Sequence, residues 1–175
     1  MPDWIKEMEV AEIGSVKISD FENFYSYTIF NGKQKINSKF FIDSIDIAKK
    51  WLDMERKHPQ LRLARKAISV APTIKDSGMC LMQIWQGIES LFEISQELSF
   101  RVSLLLSLLV GEERKEVYDA SRVSYTIRSN VAHGRTVDVT FEQLLRAWHL
   151  LVEGMHAIVR RNHLPKEKDL MSELF

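Results

Sequence analysis

"FRVSLLLSLLV", residues Phe100–Val110, is the stretch that decides the fold class. It is apolar almost all round, interrupted by the small residues Ser103 and Ser107. A helix with no polar side has nothing to offer water, so it takes the buried centre of a bundle. The run from Val102 to Val110 also falls far short of the roughly 20 residues that span a bilayer, and no membrane helix is expected.

The segments on either side carry the amphipathic patterns such a centre needs. Upstream, Leu81, Ile84, Trp85, Ile88, Leu91 and Phe92 recur along one side of a long helix. Leu61, Ala64, Ala67 and Ile68 predict a shorter helix stopped before Pro72, although "LRLA" alone also fits a strand. Ile45, Ala48, Trp51 and Leu52 form the stripe of a helix running from Ser44, which Pro59 closes. Downstream, Gly111 ends the central helix, and "EERKEVYDASRVSYTIR" opens the next with acids where the helix dipole favours them. Thr140 and Gln143 have capping-box spacing, and Leu144, Leu145, Trp148, Leu151, Val152, Met155 and Val159 continue an amphipathic helix towards the C-terminus.

The N-terminal residues have a different period. "YSYTIF" and "KQKINSKFFI" flank Asn31-Gly32, a pair that favours the positive φ angles of a tight turn between strands. A β-hairpin is expected there, with a third strand near Val16 to Ile18. The expected fold is an all-α helical bundle over residues 44–175, with a small β-rich N-terminal appendage over residues 1–43.

Lysine plus arginine and aspartate plus glutamate both number 24, so the 175-residue chain has zero formal net charge. That balance excludes nucleic-acid binding driven by bulk charge and leaves room for a local basic site. Cys80 is the only cysteine, which excludes a disulfide framework and a thiolate zinc cage. "MPDWIKEMEV" lacks the plan of a secretory signal, so a soluble, cytoplasmic protein is expected.

Patterns for familiar active sites are absent: there is no phosphate-cradling glycine loop, GxSxG elbow or HExxH. His149 and His156 share a helix face but stand about 10 Å apart, too far to grip one ion unaided, and no metal or other cofactor is expected. The basic tail of Arg160, Arg161, His163, Lys166 and Lys168 reads either as a solvated helix end or as a phosphate track for RNA.

"YTIRSNVAHGR", Tyr125–Arg135, holds the remaining candidates. From Arg122 to Arg135 there are three arginines and no acid, which makes a local positive field in a neutral chain. Arg128 is expected in the last turn of one helix and His133 in the loop before the next, with Gly134 letting the backbone turn. A guanidinium can grip phosphate oxygens and a neutral imidazole can accept a proton. Together they could drive attack on RNA by its own 2′-hydroxyl, with no metal. The residues alone fit a second reading somewhat better: Arg128 caps helix carbonyls and His133 bonds a turn.

"RSNVAHG" resembles the Arg-x4-6-His signature of the HEPN superfamily of helical nucleotide-binding domains and RNases. Tyr125 two residues before "RS", and "AHG" closing the motif, are similar to the Apea-like HEPN branch. So is "IWQGIESLFEISQELSFRVSLLLSLL", with Glu89, Ser90, Leu91 and Phe92 at the place where that branch carries an acid, a small residue and a bulky apolar pair. The likeness covers about residues 60 to 162. It implies a bundle of four or five helices that dimerises and brings two motifs to a shared cleft. It also implies metal-independent endoribonuclease activity, often as a toxin or in phage defence, with RNA and an antitoxin or regulatory protein as partners. Arg128 and His133 would then be the catalytic pair. Ser129 and Asn130 would orient them or bind RNA, with Tyr125, Arg122 and Arg135 in support. Some relatives are non-catalytic modules that bind nucleotide, RNA or a partner protein.

Overall fold

The computed structural model describes Ala11–Glu12, Val16–Ser19, Phe24–Tyr27, Lys35–Ile36 and residues 38–174 apart from 93, 95–97, 136 and 137. The chain divides into two compact units, Met1–Leu52 and Asp53–Phe175. In the first, strand β2 (Val16–Ser19) runs antiparallel to β3 (Phe24–Tyr27), with Val16 opposite Tyr27. Strand β1 (Ala11–Glu12) pairs antiparallel with β4 (Lys35–Ile36). The Asn31-Gly32 turn lies outside the described residues. "SKFFI", expected as the end of a strand, instead opens helix α1 (Ser38–Lys57). Extending a nucleated helix costs far less than starting one, so the periodic segment after Ser44 carries the preceding residues with it.

Six further α-helices follow among the described residues: α2 (Leu61–Val70), α3 (Ser77–Glu89), α4 (Leu98–Val110), α5 (Arg114–Ala132), α6 (Phe141–Arg161) and the short α7 (Glu167–Met171). Five of the seven, α2 to α6, lie within residues 60 to 162, the range for which four or five were expected. The all-α character read from the periodicity is what forms, and none of the helices is long and apolar enough to cross a membrane among the described residues.

Helix α4 is buried over most of its length, with Phe100 near its start exposed. Val102, Leu105, Leu106, Leu108 and Leu109 are buried. Its serines satisfy themselves locally: Ser103 Oγ donates to the Ser99 carbonyl and Ser107 Oγ to that of Leu104. A third buried hydroxyl, Ser121 on α5, donates to Ser103 at 3.0 Å, so α4 and α5 meet over small side chains without an orphaned polar group. Gly111 ends α4 at φ +81°. Thr140 and Gln143 form the expected capping box of α6, with side chain and backbone bonded in both directions.

Helix α3 packs against α2, α5 and α6, and at Gly87 it lies tight against α2 and α6. A Cβ built there would lie 2.6 Å from the Ala67 Cβ and 3.1 Å from Leu151 Cδ2. The alanine methyl cannot rotate away, so the helices themselves would have to part. Gly87→Ala is expected to destabilise the protein by about 1 to 3 kcal/mol, despite alanine's better helix propensity. A chemical denaturation midpoint equal to that of the wild type would contradict this packing.

Glu55 near the end of α1 is held by two arginines of α2. Arg65 donates to both its oxygens, at 2.7 and 2.9 Å, and Arg62 to one at 3.3 Å. The carboxylate is only 7% exposed. Its pKa is lowered, chiefly by the Arg65 hydrogen bonds against the cost of burial, with the two arginine charges adding to them. A carboxyl depressed by folding stabilises above its ordinary value of 4.5 and loses that contribution as pH falls through the folded value. Glu55→Gln is therefore expected to melt below wild type at neutral pH, with the gap closing under acid, as thermal melts across pH would record.

The basic tail is committed to structure at two of its five residues. Arg161 Nε and Nη2 donate to the Leu109 and Leu108 carbonyls at the end of α4, at 3.3 and 3.1 Å. The same guanidinium pairs with Glu173 at 2.6 Å. His163 Nδ1 bonds the Arg161 carbonyl at 2.8 Å. The helix-end reading thus accounts for Arg161 and His163, whereas Arg160, Lys166 and Lys168 face solvent.

Candidate functional site

Helices α3 and α5 lie side by side with their numbers rising together. Trp85 meets Tyr125 edge-on at 5.1 Å between ring centroids, and its Nε1 donates to Ser124 Oγ at 3.0 Å. One turn further along both helices, Glu89 meets Arg128. Arg128 Nη2 stands 3.2 Å from Glu89 Oε1 and 3.5 Å from Oε2. The two side chains are 22% and 23% exposed. The Arg128 guanidinium also lies over the Tyr125 ring, 5.4 Å from its centre, a cation–π contact.

The ion pair is imperfectly satisfied. Glu89 Oε1 and Arg128 Nε are both buried without a hydrogen-bond partner. Burial pushes the Glu89 carboxyl up, and the positive charge of Arg128 pulls against it without winning. Withdrawal from water therefore outweighs the partner's attraction at this carboxylate.

His133 follows Ala132, the last residue of α5, and is the C-cap of that helix, in the turn that leads on towards α6. Gly134 at φ +65° allows the chain to fold back, with the Gly134 amide bonded to the Val131 carbonyl and the Arg135 amide to that of Asn130, at 3.0 and 2.8 Å. These are the two bonds of a Schellman motif, and glycine supplies the left-handed residue it needs. The His133 imidazole is exposed and makes no hydrogen bond or ion pair among the described residues. Five residues of helix separate it from Arg128, which sets the two about 140° apart around the axis. Arg128 thus faces α3 while His133 faces solvent.

The other candidates divide in the same way. Tyr125 is half-buried against Trp85 and Arg128. Ser129 and Asn130 are half-buried, and neither side chain hydrogen-bonds among the described residues. Arg122 is exposed and donates to Ser99 Oγ at 2.6 Å. Arg135 is exposed, with no ion pair among the described residues. The stretch free of acids along the chain is therefore not free of them in space, because α3 supplies Glu89. Sequence reasoning noticed Glu89 only through a family likeness. A stronger signal was available, since Glu89 is the single charged residue of α3.

A concavity of about 230 Å³ lies between α4 and α7, lined by Phe100, Arg101, Leu104, Leu105, Glu167 and Met171. Its two charged residues, Arg101 and Glu167, are paired with each other. It includes none of the candidate residues of α5.

No protein-family model, curated protein or solved structure matches the chain.

Proposed function

We propose that the protein is a metal-independent endoribonuclease of the HEPN type, in which His133 draws the proton from a 2′-hydroxyl and Arg128 holds the phosphate under attack. The observation that carries this reading is the end of α5: an imidazole held out by a Schellman turn, unclaimed by other side chains, one and a half turns from a half-buried guanidinium. An exposed imidazole with no protein partner among the described residues is open to a substrate hydroxyl. A desolvated guanidinium interacts with phosphate more strongly than one in bulk water. Ser129, Asn130, Tyr125, Arg122 and Arg135 would line the approach of the RNA.

Because Arg128 and His133 leave α5 in different directions, a cleft built from both is completed more readily by two copies of the chain. A homodimer joined along α5 would bring the His133 of one copy towards the Arg128 of the other. The test is incubation of purified protein with structured and unstructured RNA in chelator, beside His133→Ala and Arg128→Ala. Equal decay of RNA in all three samples would reject the nuclease reading.

The ion pair itself favours a second reading, a non-catalytic module that binds nucleotide, RNA or a partner protein. Arg128 partnered by Glu89 carries no net charge to a phosphate. That reading expects retention of RNA without product, and unchanged growth of cells expressing the wild type. A toxic nuclease slows growth, and His133→Ala restores it.

A further inference from the structure

Arg128 cannot serve an incoming phosphate and Glu89 on equal terms. Only Nη2 reaches the carboxylate, at distances of 3.2 and 3.5 Å, while Arg128 Nε and Glu89 Oε1 sit buried and unbonded. The pair is close enough to neutralise charge and too poorly aligned to satisfy either group. A phosphate drawn to the guanidinium would stand beside a second anion in a largely water-free setting, where like charges repel strongly. Two anions sharing one cation relieve that repulsion when one of them takes a proton. A phosphodiester stays ionised at any pH the protein experiences, so the carboxylate has to be the group that changes.

We infer that anion binding at Arg128 is proton-coupled: the ligand phosphate displaces the Glu89 carboxylate from the guanidinium, and Glu89 takes up a proton from solvent as it does so. The inference rests on the reading of Arg128 as a phosphate-holding residue and adds its regulation. Glu89 becomes a gate that keeps the site closed to anions while ionised. Burial favours the protonated form, in the same direction as the charge a ligand phosphate would bring. Among the described residues Arg128 is the only charge that acts on Glu89, and Trp85, Ser124 and Tyr125, which adjoin the pair from α3 and α5, bring no ionised group. The linkage should therefore involve a single proton.

The probe is a short oligomer of 2′-O-methyluridine, which cannot undergo 2′-hydroxyl attack and whose base and phosphates do not titrate in the range used. Affinity is measured from about pH 8 down to about pH 5 in a His133→Ala background, which leaves no ionisable group at that position. Binding is expected to tighten by up to about tenfold for each unit of pH lowered, the limit for one linked proton. Glu89→Gln, equal in shape but uncharged, is expected to bind about as tightly at the high end of the range as its parent does at the low end, with a flat profile. Calorimetry of the parent in buffers of different ionisation enthalpy supplies a readout independent of that variant's folding. It should show uptake approaching one proton for each oligomer bound. If the parent and Glu89→Gln bind equally at every pH, both through Arg128, and no proton is taken up, the gate is overturned while the phosphate site stands. If Arg128→Ala binds as well as its parent throughout, the phosphate site fails and takes the gate with it.

Discussion

Trp85→Ala is expected to lower stability by about 3 to 5 kcal/mol, the range for emptying a buried aromatic site. Trp85 has no exposed surface and is the largest fully buried side chain among the described residues. It also holds two residues of α5 at once, Ser124 through its Nε1 and Tyr125 through an edge-on ring contact. Truncation removes the apolar contact, leaves a cavity between α3 and α5, and strands a buried hydroxyl. For a chain of this length the melting temperature should fall by roughly 6 to 20 °C. Trp85→Phe separates the contributions, because it keeps most of the volume and gives up the hydrogen bond, with an expected loss of about 1 to 3 kcal/mol. Both values come from thermal and chemical melts. A Trp85→Ala protein within 1 kcal/mol of wild type would show that α3 and α5 are not joined as described.

His133→Ala is expected to reduce RNA turnover by about 10² to 10⁴-fold if the proposed chemistry holds, equivalent to about 3 to 5 kcal/mol of lost transition-state stabilisation. Stability should hardly change, since the imidazole is exposed and makes no bond to the protein among the described residues. Arg128→Ala has a different signature. It removes turnover to a similar extent but also leaves the Glu89 carboxyl half-buried without its counter-charge, so it should lower the melting temperature as well. The divergence of the two variants in stability, set against their agreement in activity, distinguishes loss of chemistry from loss of fold. A further consequence follows from the angle between the two side chains. Mixed dimers of His133→Ala and Arg128→Ala subunits should recover activity that neither variant shows alone, provided each cleft draws one residue from each copy. Rates measured on co-purified mixed dimers decide this, and no recovery would place both residues in one subunit's site.

The local features of the site were legible from residue types alone. Gly134 after His133 announced a left-handed cap, and Thr140 with Gln143 announced the start of α6, because capping chemistry involves only neighbours along the chain. The stretch without acids around Arg128 was equally plain. Its electrostatic consequence was not, since Glu89 lies 39 residues away and meets Arg128 only when α3 settles against α5. The same holds for Arg161, whose carbonyl partners at Leu108 and Leu109 lie more than 50 residues back.

Periodicity, by itself, determined that this is a bundle of helices with most of Val102–Leu109 buried in it, whereas Phe100, in the same apolar run, is 49% exposed. Tertiary structure decided which members of each stripe are covered: in α1, Trp51 is buried and its neighbour Leu52 is 43% exposed, although both belonged to the same expected face. It also decided that Arg128 is neutralised rather than free, and that His133 closes its own helix. Side-chain periodicity is a property of one helix, whereas burial and counter-charge belong to pairs of helices, and no single segment encodes how it will meet another.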